Sequence, residues 1–124
     1  MANVYGHVTG GADSHCFALA KALEDRGHEV AFLATESPQN VVDRGEFVPL
    51  SVSHDTRDTL PPLARALVAR NALWNARAAA ATRELIGNFR PDLLHAHKLY
   101  NQLSVAPVVV AYRARVSLSF KYEA

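Results

Sequence analysis

The spacing of apolar residues changes along the chain, and each change marks an element. In GGADSHCFALAKALEDRGHEVAFLAT, residues 10–35, Phe17, Ala20 and Leu23 recur at helical spacing with Cys16 on their flank. Lys21, Glu24, Asp25 and Arg26 fall mostly on the wetter side. Gly10 and Gly11 open this helix with access to backbone angles closed to other residues. Asp13 and Ser14 offer oxygens to its first N–H groups. Gly27 suits the left-handed position that ends a helix. Residues 30–34 then run apolar without alternation, as in a strand covered on both faces.

Residues 2–5 predict the end of a strand, shorter and less apolar than a full central one. Residues 36–45 read as loop, from Ser37-Pro38-Gln39-Asn40 and Arg44-Gly45. Residues 47–52 predict a short strand that Pro49 confines to an edge. Residues 53–59 read as a polar connection; alternatively, His54, Asp55, Arg57 and Asp58 there could touch a substrate. Residues 62–88 carry a long helical pattern with a break near 71–75, ended by Gly87-Asn88. At about 100° per residue, Leu63, Leu67, Trp74, Ala78, Ala81 and Leu85 share one sector. Arg65 and Arg83 project opposite it, and Arg70 and Arg77 project at its edge. Residues 92–97 predict a short buried strand and 98–102 a polar loop. Ser104 caps a further helix with Pro107 in its first turn, running to Ala114. Val116, Leu118, Phe120 and Tyr122 alternate with polar residues as a final strand.

This order predicts an α/β fold, a doubly wound and mostly parallel Rossmann-like sheet in a single domain. With sheet order 3-2-1-4-5, the loop at Gly10-Gly11 and the loop at His97 converge beyond the C-terminal strand ends, where such folds bind ligands. The length of 124 residues fits one domain, and 49% hydrophobic with 20% charged residues fits a globular one. The net charge of +1 and the scattered arginines give no basic stripe for nucleic acid. The single Cys16 excludes a disulfide framework and favours a reducing, cytoplasmic home, where it acts as a small buried hydrophobe. No segment reads as a signal peptide or a bilayer span. The arginine-rich helix points to an acidic or membrane-borne acceptor, with peripheral contact at the cytoplasmic membrane face.

The candidate chemistry lies at the loops. Free N–H groups at a helix N-terminus make Gly10-Gly11 either an anion site or simply a tight turn. His95 and His97 stand two apart, on one face of a strand. Zinc would need a third ligand, for which His15 and Asp13 are available but not picked out by spacing, so no metal is assigned. His95 is expected to be partly buried with a backbone partner, and His97, one step into the loop, to be the better ligand contact. His15 faces the same cleft from the first helical turn; His7 reads as a solvated turn residue, and His28 follows the helix end.

Residues 10–35 closely resemble the start of family 4 glycosyltransferases, in which a Gly-Gly loop opens a helix ending in Arg-Gly-His-Glu-Val. FRPDLLHAHKLYNQLS resembles the same family's later strand end, Pro-Asp, two apolar residues and His-x-His. The resemblance covers most of the chain. It implies the GT-B architecture of two Rossmann-like domains, the N-terminal one handling the acceptor and the C-terminal one holding most of a nucleotide-diphosphate sugar. It also implies retention of anomeric configuration, usually without a metal, and no cofactor beyond that donor substrate. By this resemblance Gly10 and Gly11 bind the donor diphosphate. His97 is the catalytic candidate beside the transferred sugar, and His15 and Asn101 line the cleft.

The chain also departs from the family's pattern. Asp13 stands where the family often has Glu, the first strand is truncated, and residues 117–124 lack the usual Thr-x-His-Asp-like ending. No second domain with its Glu-x7-Glu signature follows. The expectation for residues 1–124 is therefore the acceptor-side domain or fragment of a retaining glycosyltransferase, not competent alone. Its partners would be the missing domain, a nucleotide-sugar, and a sugar, lipid or small-molecule acceptor. The alternative is a non-catalytic α/β module that binds a phosphate-bearing ligand or another protein.

Overall fold

The computed structural model describes residues 1–3, 5–49, 61–99 and 103–120. Its elements run α1 (Gly11–Asp25), β1 (Phe32–Thr35), β2 (Gly45–Val48), α2 (Pro62–Leu73), α3 (Ala76–Phe89), β3 (Leu93–Ala96), α4 (Ala106–Arg113) and β4 (Ser117–Phe120). β1 pairs with β2 and β3 with β4, both parallel. Ala2 joins the two pairs through parallel bridges to Leu33 and Ala96. Its N–H donates to the His95 carbonyl and its own carbonyl accepts from the His97 N–H, both at 2.9 Å. The spatial order β2, β1, Ala2, β3, β4 is the order expected of the sheet. The first strand is reduced to one bridging residue among those described. The calls at residues 50–60 and 121–124, including the polar loop with His54 and the strand end at Tyr122, lie outside the described residues.

β1 and the residues before it explain why the segment is apolar throughout. Val30 and Phe32 pack with Cys16 and Ala20 of α1. Ala31 and Leu33 pack with Ala78 and Leu85 of α3 and Ala111 of α4. Alternate residues of an extended chain point to opposite faces, so this segment is covered on both. α1 ends as expected, with Gly27 at φ +89° donating its N–H to the Glu24 carbonyl. β2 begins two residues earlier than the sequence suggests, and Pro49 falls just after it.

The long helical pattern divides. Trp74 is extended, and Asn75 caps α3 by accepting from the Ala78 N–H at 3.0 Å. The break cancels the common sector. Ala78 and Leu85 are buried, but Leu63 and Leu67 are exposed, because the extended Trp74 takes α2 out of phase with α3. α3 also runs through Gly87 and Asn88, where a stop was expected, and ends at Arg90 in the left-handed region (φ 52°). Ser104 does not occupy the cap position of α4, which is Val105, but its hydroxyl accepts from the N–H of Ala106 at 3.2 Å and of Asn75 at 2.9 Å.

Gly45 opens β2 at φ +143°, and a Cβ there would collide with the Phe32 carbonyl across the sheet. Gly45→Ala is therefore expected to cost about 3 kcal/mol or more, measured by denaturant unfolding, whereas Gly87→Ala, with open space around it, should not destabilise.

Candidate functional site

The parallel sheet sends every strand's C-terminal end to one edge. Leaving Ala2, the chain passes Asn3 and Tyr5 and reaches Gly10; leaving β3, it passes His97 and Lys98. Two loops distant in sequence therefore meet there, as the sheet order requires.

A buried ion pair holds them together. The Asp13 carboxylate, fully buried in the first turn of α1, lies 3.0 Å from the Nζ of Lys98, itself only 9% exposed. The same carboxylate accepts from Asn3 Nδ2 at 3.0 Å, from the Thr9 N–H at 3.0 Å and from the Thr9 hydroxyl. Asn3 Nδ2 also donates to the Tyr5 carbonyl at 2.8 Å, and the Lys98 ammonium stands 5.0 Å from the Tyr5 ring centre. Asp13 thus does not cap its own helix, the role expected of it. It turns back and binds the segment that precedes the helix. Burial pushes its carboxyl up, but the hydrogen bonds from Asn3, Thr9 and Lys98 outweigh that and bring it down to about 2.

The histidines line up beside this pair. His95 and His97 have ring centres 4.3 Å apart, and His15 reaches to 6.1 Å from His97. His95 is half-buried, but its ring partner is the Ser119 hydroxyl of β4, with Nδ1 at 3.0 Å, rather than the backbone. Burial first, then the positive charges of the N-terminus and His15, hold His95 below its ordinary value. Its ring therefore stays neutral further into mild acid. His7 is half-buried rather than solvated, with Nδ1 3.4 Å from Asn40 Oδ1. His28 is exposed beyond the end of α1. Asn101 lies outside the described residues. Among the described residues, no group of three or more His, Cys, Asp or Glu is arranged to hold a metal.

Gly10 and Gly11 give a different result from the one expected. Gly10 is extended, at φ −175°, and neither glycine has a positive φ. A Cβ on either would meet nothing within 4 Å. Internal strain therefore does not call for glycine here. No side-chain hydrogen bond caps α1 at Gly10. A depression of about 250 Å³ lies elsewhere, between α1 and the segment before β2, with Phe17, Val30 and Phe32 among its lining.

A family model described as Glycosyltransferase Family 4 matches residues 9–120. The chain belongs to glycosyltransferase family 4. No curated protein and no solved structure matches it. Membership in glycosyltransferase family 4 points to sugar transfer and to sugar-related substrates in general. Both stretches that carry the resemblance lie within the matched residues, and they meet at the Asp13–Lys98 pair.

Reasoning from sequence missed Asn3 and Lys98. Asn3 signals itself only as a polar residue in an otherwise apolar strand end. Lys98 reads as a loop lysine, because nothing along the chain links it to a carboxylate 85 residues away.

Lys98→Ala leaves a buried carboxylate short of its cation and is expected to cost about 3–5 kcal/mol in urea unfolding. The Asp13 contribution carries a definite pH sign. Its folded value, about 2, lies below the unfolded value of roughly 4. The stabilisation is thus complete above pH ~4 and lost as pH falls toward ~2. Asp13→Asn should flatten that acid limb of the stability curve.

Proposed function

We propose that this domain is the acceptor-side, N-terminal half of a retaining GT-B glycosyltransferase, built on a doubly wound sheet, that uses a nucleotide-diphosphate sugar. The observation that carries the reading is the clamp between the glycine loop and the segment after β3, which sets the N-terminus of α1 and His97 at one edge of the sheet. In this reading the backbone N–H groups at Gly10 and Gly11 receive the donor diphosphate at the positive end of α1. Glycine is required there because the ligand, not the protein, occupies the space a Cβ would fill. His97, held against Ala2 through its backbone N–H, lines the cleft beside the transferred sugar. Its ring offers a hydrogen bond to the sugar or to the charge that grows on the leaving phosphate. His15 flanks it from α1. Donor binding and turnover are completed by a second domain of the GT-B type.

Two experiments test this reading. Gly11→Ala should leave stability unchanged or raise it by about 0.5–1 kcal/mol, while weakening nucleotide-sugar binding in titration calorimetry of the two-domain enzyme. Undiminished affinity would remove the glycine loop from the donor site. In the same enzyme, His97→Ala should lower kcat by about 100-fold or more with the unfolding midpoint little changed. Unaltered turnover would exclude His97 from the chemistry.

A further inference from the structure

Polar side chains of β3 and β4 share one face of the sheet. Leu94 and Ala96 enter the core with Leu85 of α3 and Ala111 of α4. Alternation therefore turns His95 and His97 to the opposite face, the one that α1 covers over β1. The parallel register sets His95 directly opposite Ser119. Their side chains meet, with His95 Nδ1 3.0 Å from the Ser119 Oγ. A slip of β4 by one residue would turn that hydroxyl to the other face, so the pairing of the strands brings it to the ring.

The backbone of a strand end does not fix the plane of an imidazole, because the terminal torsion of histidine is broad. Neighbouring rings set the plane of His97 instead. The His95 ring lies 4.3 Å away, centre to centre, at 56° to it, and the His15 ring lies 6.1 Å away at 55°. His95 is the firmer neighbour, since it is half-buried and tied to Ser119, whereas His15 is exposed. Burial and the positive charges of the N-terminus and His15 keep the His95 ring neutral. It therefore meets His97 as a packing surface and not as a like charge.

We infer that His95 is a positioning residue: fixed by Ser119, it holds the His97 ring in one orientation at the site of transfer. His95 acts through His97 and touches neither sugar nor phosphate. The consequence for turnover rests on the sugar-transfer reading, whereas the coupling of Ser119 to His97 is a property of the chain alone.

The test removes the hydroxyl with Ser119→Ala, which leaves both rings in place, and restores it with Ser119→Thr. Proton–nitrogen correlation spectra of the histidine rings are recorded on the whole chain, and circular dichroism checks the fold of each variant. The parent should show one tautomer of His95. Ser119→Ala should give a mixture and shift the His97 ring signals, and Ser119→Thr should return both. The exposed His28 should not move in either variant. Unmoved His97 signals in Ser119→Ala, or a threonine variant that behaves like the alanine one, overturn the inference. In the two-domain enzyme, Ser119→Ala should lower kcat by about tenfold with KM unchanged. It should add no loss in a His97→Ala background, because residues that act as one unit are not additive. An unchanged kcat, or a further loss in that background, also overturns the inference. If His97→Ala alone turns over normally, the role of His97 in transfer fails, and the ring signals still decide whether His95 positions it.

Discussion

The buried pair of Asp13 and Lys98 is the constraint on which the arrangement of this domain depends. A carboxylate without solvent is tolerable only with a full set of donors, and Asp13 takes its donors from three places. Lys98 comes from the segment after β3, Asn3 from the residue after the central bridge, and Thr9 from the turn before α1. One side chain thus ties the entry of α1 to the centre of the sheet and to the neighbouring strand end. Because the charge belongs to the first turn of α1, it also lies near the positive end of the helix dipole. The loops cannot separate without leaving a charge buried and unpaired.

Ala2 plays the complementary part in the backbone. It is fully buried and bridges β1 and β3 at once. Its hydrogen bonds with His95 and His97 fix the end of β3 just where the histidine pair emerges. Parallel pairing then places Asn3 and Lys98 at the same edge as Asp13. The backbone ladder brings the loops within reach, and the buried charge pair determines how they meet. Ser119 holds His95 from the far side, so the pair of His95 and His97 is braced by two different segments of chain.

The second half of the domain turns on a single polar residue. Asn75 caps α3 with its side chain and reaches Ser104 with its backbone N–H. That stop falls where a break near residues 71–75 was expected, and it frees α2 from the phase of α3. α3 keeps the apolar stripe and packs on β2 and α4. α2 is left with its leucines outward, a placement that the uninterrupted helical wheel assigned to the core.

Local pattern was enough for the elements that depend on local physics. The helix of residues 11–25 with its glycine stop, the doubly covered strand after it and the parallel order of the strands follow from periodicity and turn chemistry. The family is legible from the glycine loop and the Pro-Asp-Leu-Leu-His-Ala-His strand end, because those residue types recur at fixed short spacing. Tertiary structure alone decided the rest. The partnership of Asp13 with Lys98 and Asn3 joins charges and amides far apart in sequence, and no spacing encodes it. The outward turn of Leu63 and Leu67 depends on a cap whose other partner, Ser104, lies 29 residues away. The absence of strain at Gly10 and Gly11 was likewise invisible in sequence, where glycine signals freedom without saying what uses it. A chain pattern reports what each segment prefers; burial, charge pairing and open space are properties of segments brought together.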